Sequence, residues 1–428
     1  MAILITKMIT YAPRDDHRAI QARRLRLAAE HSAKKKRTIF LASLGLLITF
    51  LLLGYFAYLR PVVTSSPTVQ IPTIKTKAAN ISWPAESQSA LALPEGAVLA
   101  ASPQQSAVPT ASVAKVVTAL VVLQKHPLKS GEAGPSITIT QADVDSFSAY
   151  ASKDGSTIPV ELDEKISEYQ ALQAIMLPSA NNIADSLAVW AYGSMENYHR
   201  AANTYVKTLG MNNTTIADDA SGFSAATTST ARDLTLLGQA AFKHPVLREI
   251  AQQKTATLPV VGEVQNVNKL LGEGGFVGIK TGNTAEAGGC YLFASKQIIE
   301  GHQITLIGAI TKASSLEQAF TDSKELTNQA LAKFTNRVIL AKNTQVGIYK
   351  LPWGEERRII TSKDLTTFGW IDSPPKIAVE APKLTTQQSW NGKVTATSAT
   401  ATQSAPLHLD NSVIKIPLTW KLKRPFLR

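Results

Sequence analysis

Between Thr38 and Leu59 the chain runs for 22 positions without a charge, and most of them are apolar. At about 1.5 Å per residue a helix of that length reaches roughly 33 Å, enough to cross the hydrocarbon core of a bilayer. Such a span divides the sequence into a short piece and a long piece on opposite sides of a membrane. The flank before it carries Arg23, Arg24, Arg26, Lys34, Lys35, Lys36 and Arg37, and the flank after it only Arg60. Positive charge stays inside, so residues 1–37 are expected as a basic cytoplasmic tail, 38–59 as a single transmembrane helix, and everything beyond as extracytoplasmic. A cleaved signal peptide fits less well, because the run is long and Tyr55 to Pro61 offers no small-residue cleavage site.

The formal charge of +12 at pH 7 suggests nucleic acid until it is located. The first 60 residues hold 11 of the 44 basic residues and only Asp15, Asp16 and Glu30 among the acids, which leaves the rest near neutrality. No basic stripe with interleaved aromatics follows the tail, so no nucleic-acid partner is expected. Cys290 is the only cysteine, so no intramolecular disulfide can form and stability must come from a large core. The apolar neighbours of Cys290 place it in a buried strand and argue against a catalytic thiol.

Residues 60–80 are rich in Pro, Ser and Thr and read as an extended linker. Ser89 to Leu93 and Ala97 to Ala101, parted by Pro94-Glu95-Gly96, read as a hairpin. Gly275 to Lys280, Gly289 to Lys296 and Gln303 to Lys312 read as three later strands. Between them the periodicity predicts helices over about 112–125, 168–177, 182–192, 195–209 and 230–242, with another over 315–334. The expected fold class is α+β, an antiparallel sheet covered by helices on both faces, spanning 81–336. Short alternating runs after 336, holding Trp353, Trp370, Trp390 and Trp420, predict a small all-β domain over 337–428. Core and edge packing is the ordinary use of such tryptophans, ahead of a carbohydrate-binding face.

Three short motifs occur in order: Ser112-Val113-Ala114-Lys115, Ser179-Ala180-Asn181 and Lys280-Thr281-Gly282. Each alone is weak, and Ser32-Ala33-Lys34-Lys35 matches the first pattern inside the charged tail. Context separates them. Ser112 opens an apolar helix, so its hydroxyl and the Lys115 ammonium share one face, three residues apart, and the Ser112 N–H can help hold an oxyanion. Burial lowers the lysine's proton affinity and fits it to accept the serine proton. Ser179 and Asn181 fall at a helix junction after Pro178, where a second hydroxyl can relay a proton and an amide can bridge lysine and substrate. Lys280 and Thr281 end a strand, suited to holding a substrate carboxylate, with Gly282 leaving room and Asn283 offering a further N–H. The bland readings are a capping serine with a snorkelling lysine, two N-caps and a strand-end turn.

In this order the trio is the signature of penicillin-binding proteins and related serine β-lactamases. Together with Pro109 to Leu120, Met176 to Ala188, Ser229 to Leu234 and Gly278 to Ser295, it makes residues 81–336 resemble the serine D-Ala-D-Ala carboxypeptidases of the low-molecular-mass penicillin-binding proteins. The resemblance implies the β-lactamase/transpeptidase-like fold and an acyl-enzyme that trims the terminal D-Ala from peptidoglycan stem peptides. It also implies inhibition by β-lactams and no cofactor. On that basis Ser112 is the nucleophile, Lys115 its base, Ser179 and Asn181 the relay pair, and Lys280 with Thr281 the carboxylate clamp. Three features depart from the family: Asn182 where Asp is common, Asn283 where His is frequent, and an N-terminal anchor instead of a C-terminal amphipathic helix.

Other readings have sequence-level objections. A zinc peptidase needs clustered ligands, yet no two of the seven histidines lie within four residues of one another, so no metal is expected. A membrane-tethered β-lactamase of the common type adds a glutamate that activates the deacylating water, and no Glu-x-x-Leu-Asn segment occurs between Asn181 and Lys280. A penicillin-binding sensor or wall-binding module that acylates without turnover would share every motif.

Overall fold

The computed structural model describes residues 16–59, 66–385, 390–411 and 415–423. The first fifteen residues of the expected tail, the start of the expected linker and residues 424–428 lie outside the described residues. One helix, Asp16–Leu59, carries both the basic flank and the apolar run as a single rod of 44 residues. At about 1.5 Å per residue it is roughly 66 Å long, twice a bilayer core, so its basic half extends beyond any membrane it crosses. Phe40, Leu46, Phe50, Leu53 and Phe56 are all more than half exposed along it. Among the described residues it is the one helix long and apolar enough to span a bilayer.

Residues 66–80 of the expected linker form no helix, and Thr68–Val69 adds an edge strand to the C-terminal sheet opposite Gly347 and Ile348. Ala79 then enters the core of the main domain. The main sheet has five antiparallel strands in the order Phe276–Thr284, Gly288–Ile299, His302–Ala313, Gln88–Ala92, Val98–Ala101. The early hairpin thus zips onto the edge of the late three-stranded meander. Helices Leu316–Leu331 and Ala231–Lys243 pack against this sheet, and two apolar cores follow. One joins the sheet to the helical middle through Val116, Leu172, Leu187, Leu237, Leu292 and Ile307. The other lies under Leu316–Leu331 and is rich in aromatics, with Phe276, Tyr291 and Phe293 in mutual ring contact and Phe320 edge-on to Tyr291. Each such side chain, fully buried, contributes about 1.5–3 kcal/mol relative to exposure.

From Val116 to Leu123 every residue of helix Lys115–Lys125 is buried, as expected of a helix apolar all round. Sequence periodicity did not reveal helix Gln141–Ala151, which buries no residue and is held by a Thr140/Asp143 capping box. Among the described residues after 336 the structure is all-β apart from a short C-terminal helix, and five of its strands join Thr68–Val69 in a six-stranded antiparallel sheet around Val346, Tyr349, Ile359 and Val394. It does not stand apart from the main domain: Phe334, Phe368 and Trp370 complete the aromatic core, and His302 stacks on Phe368 at 4.1 Å between centroids. The tryptophans are used for packing. Trp370 is buried and Trp390 donates to the Tyr349 hydroxyl at 2.9 Å.

Candidate active site

Ser112 sits in a 3-10 turn, Ala111–Ala114, that feeds directly into helix Lys115–Lys125. Ala111 has φ of 46° and Ser179 φ of 68°. Left-handed backbone at non-glycine residues costs on the order of 1 kcal/mol each, and here it aims the two hydroxyl-bearing turns. Neither serine is a cap. The Ser112 hydroxyl lies 2.8 Å from Lys115 Nζ and the Ser179 hydroxyl 3.0 Å from Lys280 Nζ.

Lys115 is wholly buried and has three partners: Ser112 Oγ at 2.8 Å, Asn181 Oδ1 at 2.6 Å and the Ser221 carbonyl at 3.2 Å. A neutral amine has two N–H bonds and one lone pair. Lys115 Nζ donates to two pure acceptors, Asn181 and Ser221, and stands at the hydroxyl of Ser112, which can accept from an ammonium or give its proton to a neutral amine, so the contacts serve both protonation states of the lysine. Burial, followed by the nearby Lys280 charge, holds Lys115 well below the ordinary lysine range. Lys280 is equally buried and is lowered to about 7 by that burial. Its nitrogen also reaches the Thr281 carbonyl at 3.0 Å.

The four residues expected to do chemistry and the expected clamp Lys280 therefore fall in two adjoining hydrogen-bonded chains joined through the 179–181 junction: Ser112–Lys115–Asn181 and Ser179–Lys280. Thr281 is buried beside Lys280, and Asn283 is exposed at the end of the strand. The expected purpose of Gly282 changes. A Cβ there would lie 3.0 Å from Ala111 Cβ, Ser112 N and Thr110 O, so this glycine lets the strand close on the nucleophile turn itself. Asn182 is structural, with its amide donating to the Ile158 carbonyl at 3.0 Å and accepting from its N–H at 3.3 Å.

Sequence reasoning missed the third partner of Lys115. The Ser221 carbonyl belongs to a turn over residues 218–224 that is shaped by Asp219. Its Oδ1 accepts from Ser221 N at 2.7 Å and Ser221 Oγ at 2.6 Å, and its Oδ2 from Ser224 N at 2.7 Å. Gly222, at φ of 74°, brings the turn against Ala111–Ala114: a Cβ there would overlap the Ala111 carbonyl and stand 2.6 Å from Ala114 Cβ. The run Asp218-Asp219-Ala220-Ser221-Gly222 was the available signal, as turn-forming residues ahead of a helix.

The sequence profile of the D-alanyl-D-alanine carboxypeptidase family matches residues 74–314, more than half of the 428. The chain belongs to this family. A D-alanyl-D-alanine carboxypeptidase of Streptomyces sp. (strain K15) is 29% identical over 241 residues, 52% of this chain and 79% of that one. A D-alanyl-D-alanine endopeptidase of Escherichia coli (strain K12) is 30% identical over 211 residues, 46% of this chain and 62% of that one. The crystal structure of the Streptomyces K15 DD-transpeptidase superposes with a TM-score of 0.52 at 26% identity, over 59% of this chain and all of that one. The family works as serine peptidases through an acyl-enzyme, and this chain is one of them.

Proposed function

We propose that this protein is a serine-type D-alanyl-D-alanine carboxypeptidase that removes the terminal D-Ala from peptidoglycan stem peptides, with Ser112 as the residue that is acylated. The observation that carries the assignment is the 2.8 Å contact between Lys115 Nζ and the Ser112 hydroxyl, with the lysine held by Asn181 Oδ1 and the Ser221 carbonyl on its other sides. In the first step Ser112 Oγ bonds to the carbonyl carbon of the penultimate D-Ala while its proton passes to Lys115 Nζ. The oxyanion forms beside the Ser112 N–H at the start of its helix. The C–N bond then breaks, and the leaving amine takes a proton relayed through the Ser179 hydroxyl. Water next attacks the ester, Lys115 again removes a proton, and Ser112 is regenerated. Lys280 and Thr281 hold the C-terminal carboxylate until the terminal D-Ala departs, before water attacks the ester.

A β-lactam presents the same kind of carbonyl, but its leaving nitrogen stays tethered and hinders water, so a long-lived adduct on Ser112 is expected. We read residues 81–336 as the catalytic domain and 337–428 as a small β domain. The rod Asp16–Leu59 serves as the anchor, with a cytoplasmic N-terminus and residues 60–80 as connection. The charge asymmetry about the apolar run supports that orientation.

Release of free D-alanine from a D-Ala-D-Ala pentapeptide tests the reading. Catalytic release by the native chain and none by Ser112→Ala is the expected result. Rapid penicillin turnover without D-alanine release would instead favour a β-lactamase, and acylation with neither turnover a sensor.

A further inference from the structure

Asp185 has no part in the three motifs, yet it is the nearest acidic group on the helix that carries Asn181. It lies four residues further along helix Asn181–Tyr192, on the same face. Its Oδ1 accepts from the Ala220 N–H at 2.8 Å, and its Oδ2 accepts from the Tyr150 hydroxyl at 2.7 Å. Ala220 directly precedes Ser221, whose carbonyl accepts from Lys115 Nζ. One carboxylate thus ties together helix Gln141–Ala151, helix Asn181–Tyr192 and the 218–224 turn, and the last two each bring an acceptor to Lys115. The Tyr150 ring also meets Phe223 of the turn edge-on at 5.4 Å.

We propose that Asp185 is a positioning residue for the general base: it seats the Ser221 carbonyl on Lys115 and supplies the countercharge that steadies the ammonium formed when Ser112 gives up its proton. The inference rests on reading Ser112 and Lys115 as nucleophile and base. That ammonium forms in a water-poor site that already contains a second lysine, Lys280, so an opposite charge nearby acts with little screening. The charged and titratable groups around Lys115 are Lys280 from the strand Phe276–Thr284, Asp219 from the turn, and Asp185. Those around Asp185 are Lys115, Asp219, Tyr150 and, from helix Met195–Thr208, Tyr198. Burial pushes the Asp185 carboxyl up to about 6, against the pull of the Tyr150 and Ala220 hydrogen bonds, which leaves it ionised at neutral pH. Asp185 takes no proton in the reaction; the proton moves from Ser112 Oγ to Lys115 Nζ and on to the leaving nitrogen.

The test follows acylation of the full chain in detergent by benzylpenicillin, with intact mass as the readout, from about pH 5 to about pH 9 for native, Asp185→Asn and Asp185→Glu proteins. Asn removes the charge and can keep the Ala220 N–H bond through its amide oxygen, while its NH2 has to donate to the Tyr150 oxygen in place of accepting from that hydroxyl. Acylation at neutral pH should slow by about tenfold. The acidic limb of the profile, where Lys115 loses its proton, should move to lower pH because one of the two carboxylates that raise its proton affinity is gone while Asp219 remains. Glu should restore the limb. Native rate and limb in Asp185→Asn overturn the proposal, and so does a slower reaction with an unmoved limb, which marks a merely structural residue. Should Asp185→Asn not fold, the Glu variant decides: a native limb supports the proposal and a displaced limb overturns it. Absence of any adduct on Ser112 in the native chain removes the reading of the site, and this inference with it.

Discussion

The Ser179 hydroxyl lies 3.0 Å from Lys280 Nζ, so the residue expected to relay a proton is held by the residue expected to clamp the substrate carboxylate. With Lys280 as the clamp and Ser179 as the relay we propose, binding and proton transfer would be coupled through one cation. A substrate carboxylate arriving at Lys280 favours its charged form, and a charged Lys280 orients the Ser179 lone pair toward itself and the hydroxyl proton away, toward the leaving amine.

Lys280→Ala should lower kcat/KM on a D-Ala-D-Ala peptide by about tenfold to a hundredfold or more, given about 1.5–3 kcal/mol for a charge-assisted hydrogen bond. A peptide amidated at its C-terminus should lose far less. Steady-state kinetics on the two peptides check this, and equal losses would make Lys280 structural.

Because Lys280 is lowered to about 7, the free enzyme loses the clamp's charge as pH rises through that value. The kcat/KM of carboxylate substrates should decline above about pH 7, while Lys280→Arg, which stays charged, should carry the plateau to higher pH. A pH–rate profile of both proteins decides the point.

Gly222→Ala places a methyl group against the Ala111 carbonyl at a φ of 74°. The turn must retreat, at a cost of about 2 kcal/mol or more, and withdraw the Ser221 carbonyl from Lys115. Loss of acylation rate with a fall in melting temperature is expected, whereas Gly262→Ala, with φ of 77° and no atom within 4 Å, should lose only stability.

Glu168 is buried with neither carboxylate oxygen hydrogen-bonded, and burial raises its carboxyl from 4.5 to about 7. The folded state therefore binds this proton more tightly than the unfolded chain, and stability falls as pH rises from about 4.5 to about 7. Glu168→Gln cannot ionise. Its stability relative to native should improve by about 1–3 kcal/mol between pH 5 and pH 8, measurable by thermal unfolding at the two values.

What the sequence revealed was local. Ser112 and Lys115 are three residues apart on one helix, so their meeting follows from helical geometry alone, and Lys280-Thr281-Gly282 announces itself at a strand end. The run Asp218 to Gly222 signals a turn, but not that the Ser221 carbonyl serves Lys115, because a backbone acceptor has no letter of its own and reaches the lysine across 106 positions. Asp185 was invisible for a related reason: its two partners come from separate elements, Tyr150 and Ala220, each 35 positions away. The strands of the main sheet were legible as apolar runs. The edge strand Thr68–Val69 was not, because two exposed residues paired through backbone groups leave no pattern.

The most direct measurement of the central claim is the intact mass of the protein after benzylpenicillin, with the adduct mapped to a residue. The account predicts one penicilloyl group on Ser112, absent in Ser112→Ala and strongly slowed in Lys115→Ala. An adduct on any other residue, or undiminished acylation in Lys115→Ala, would contradict it.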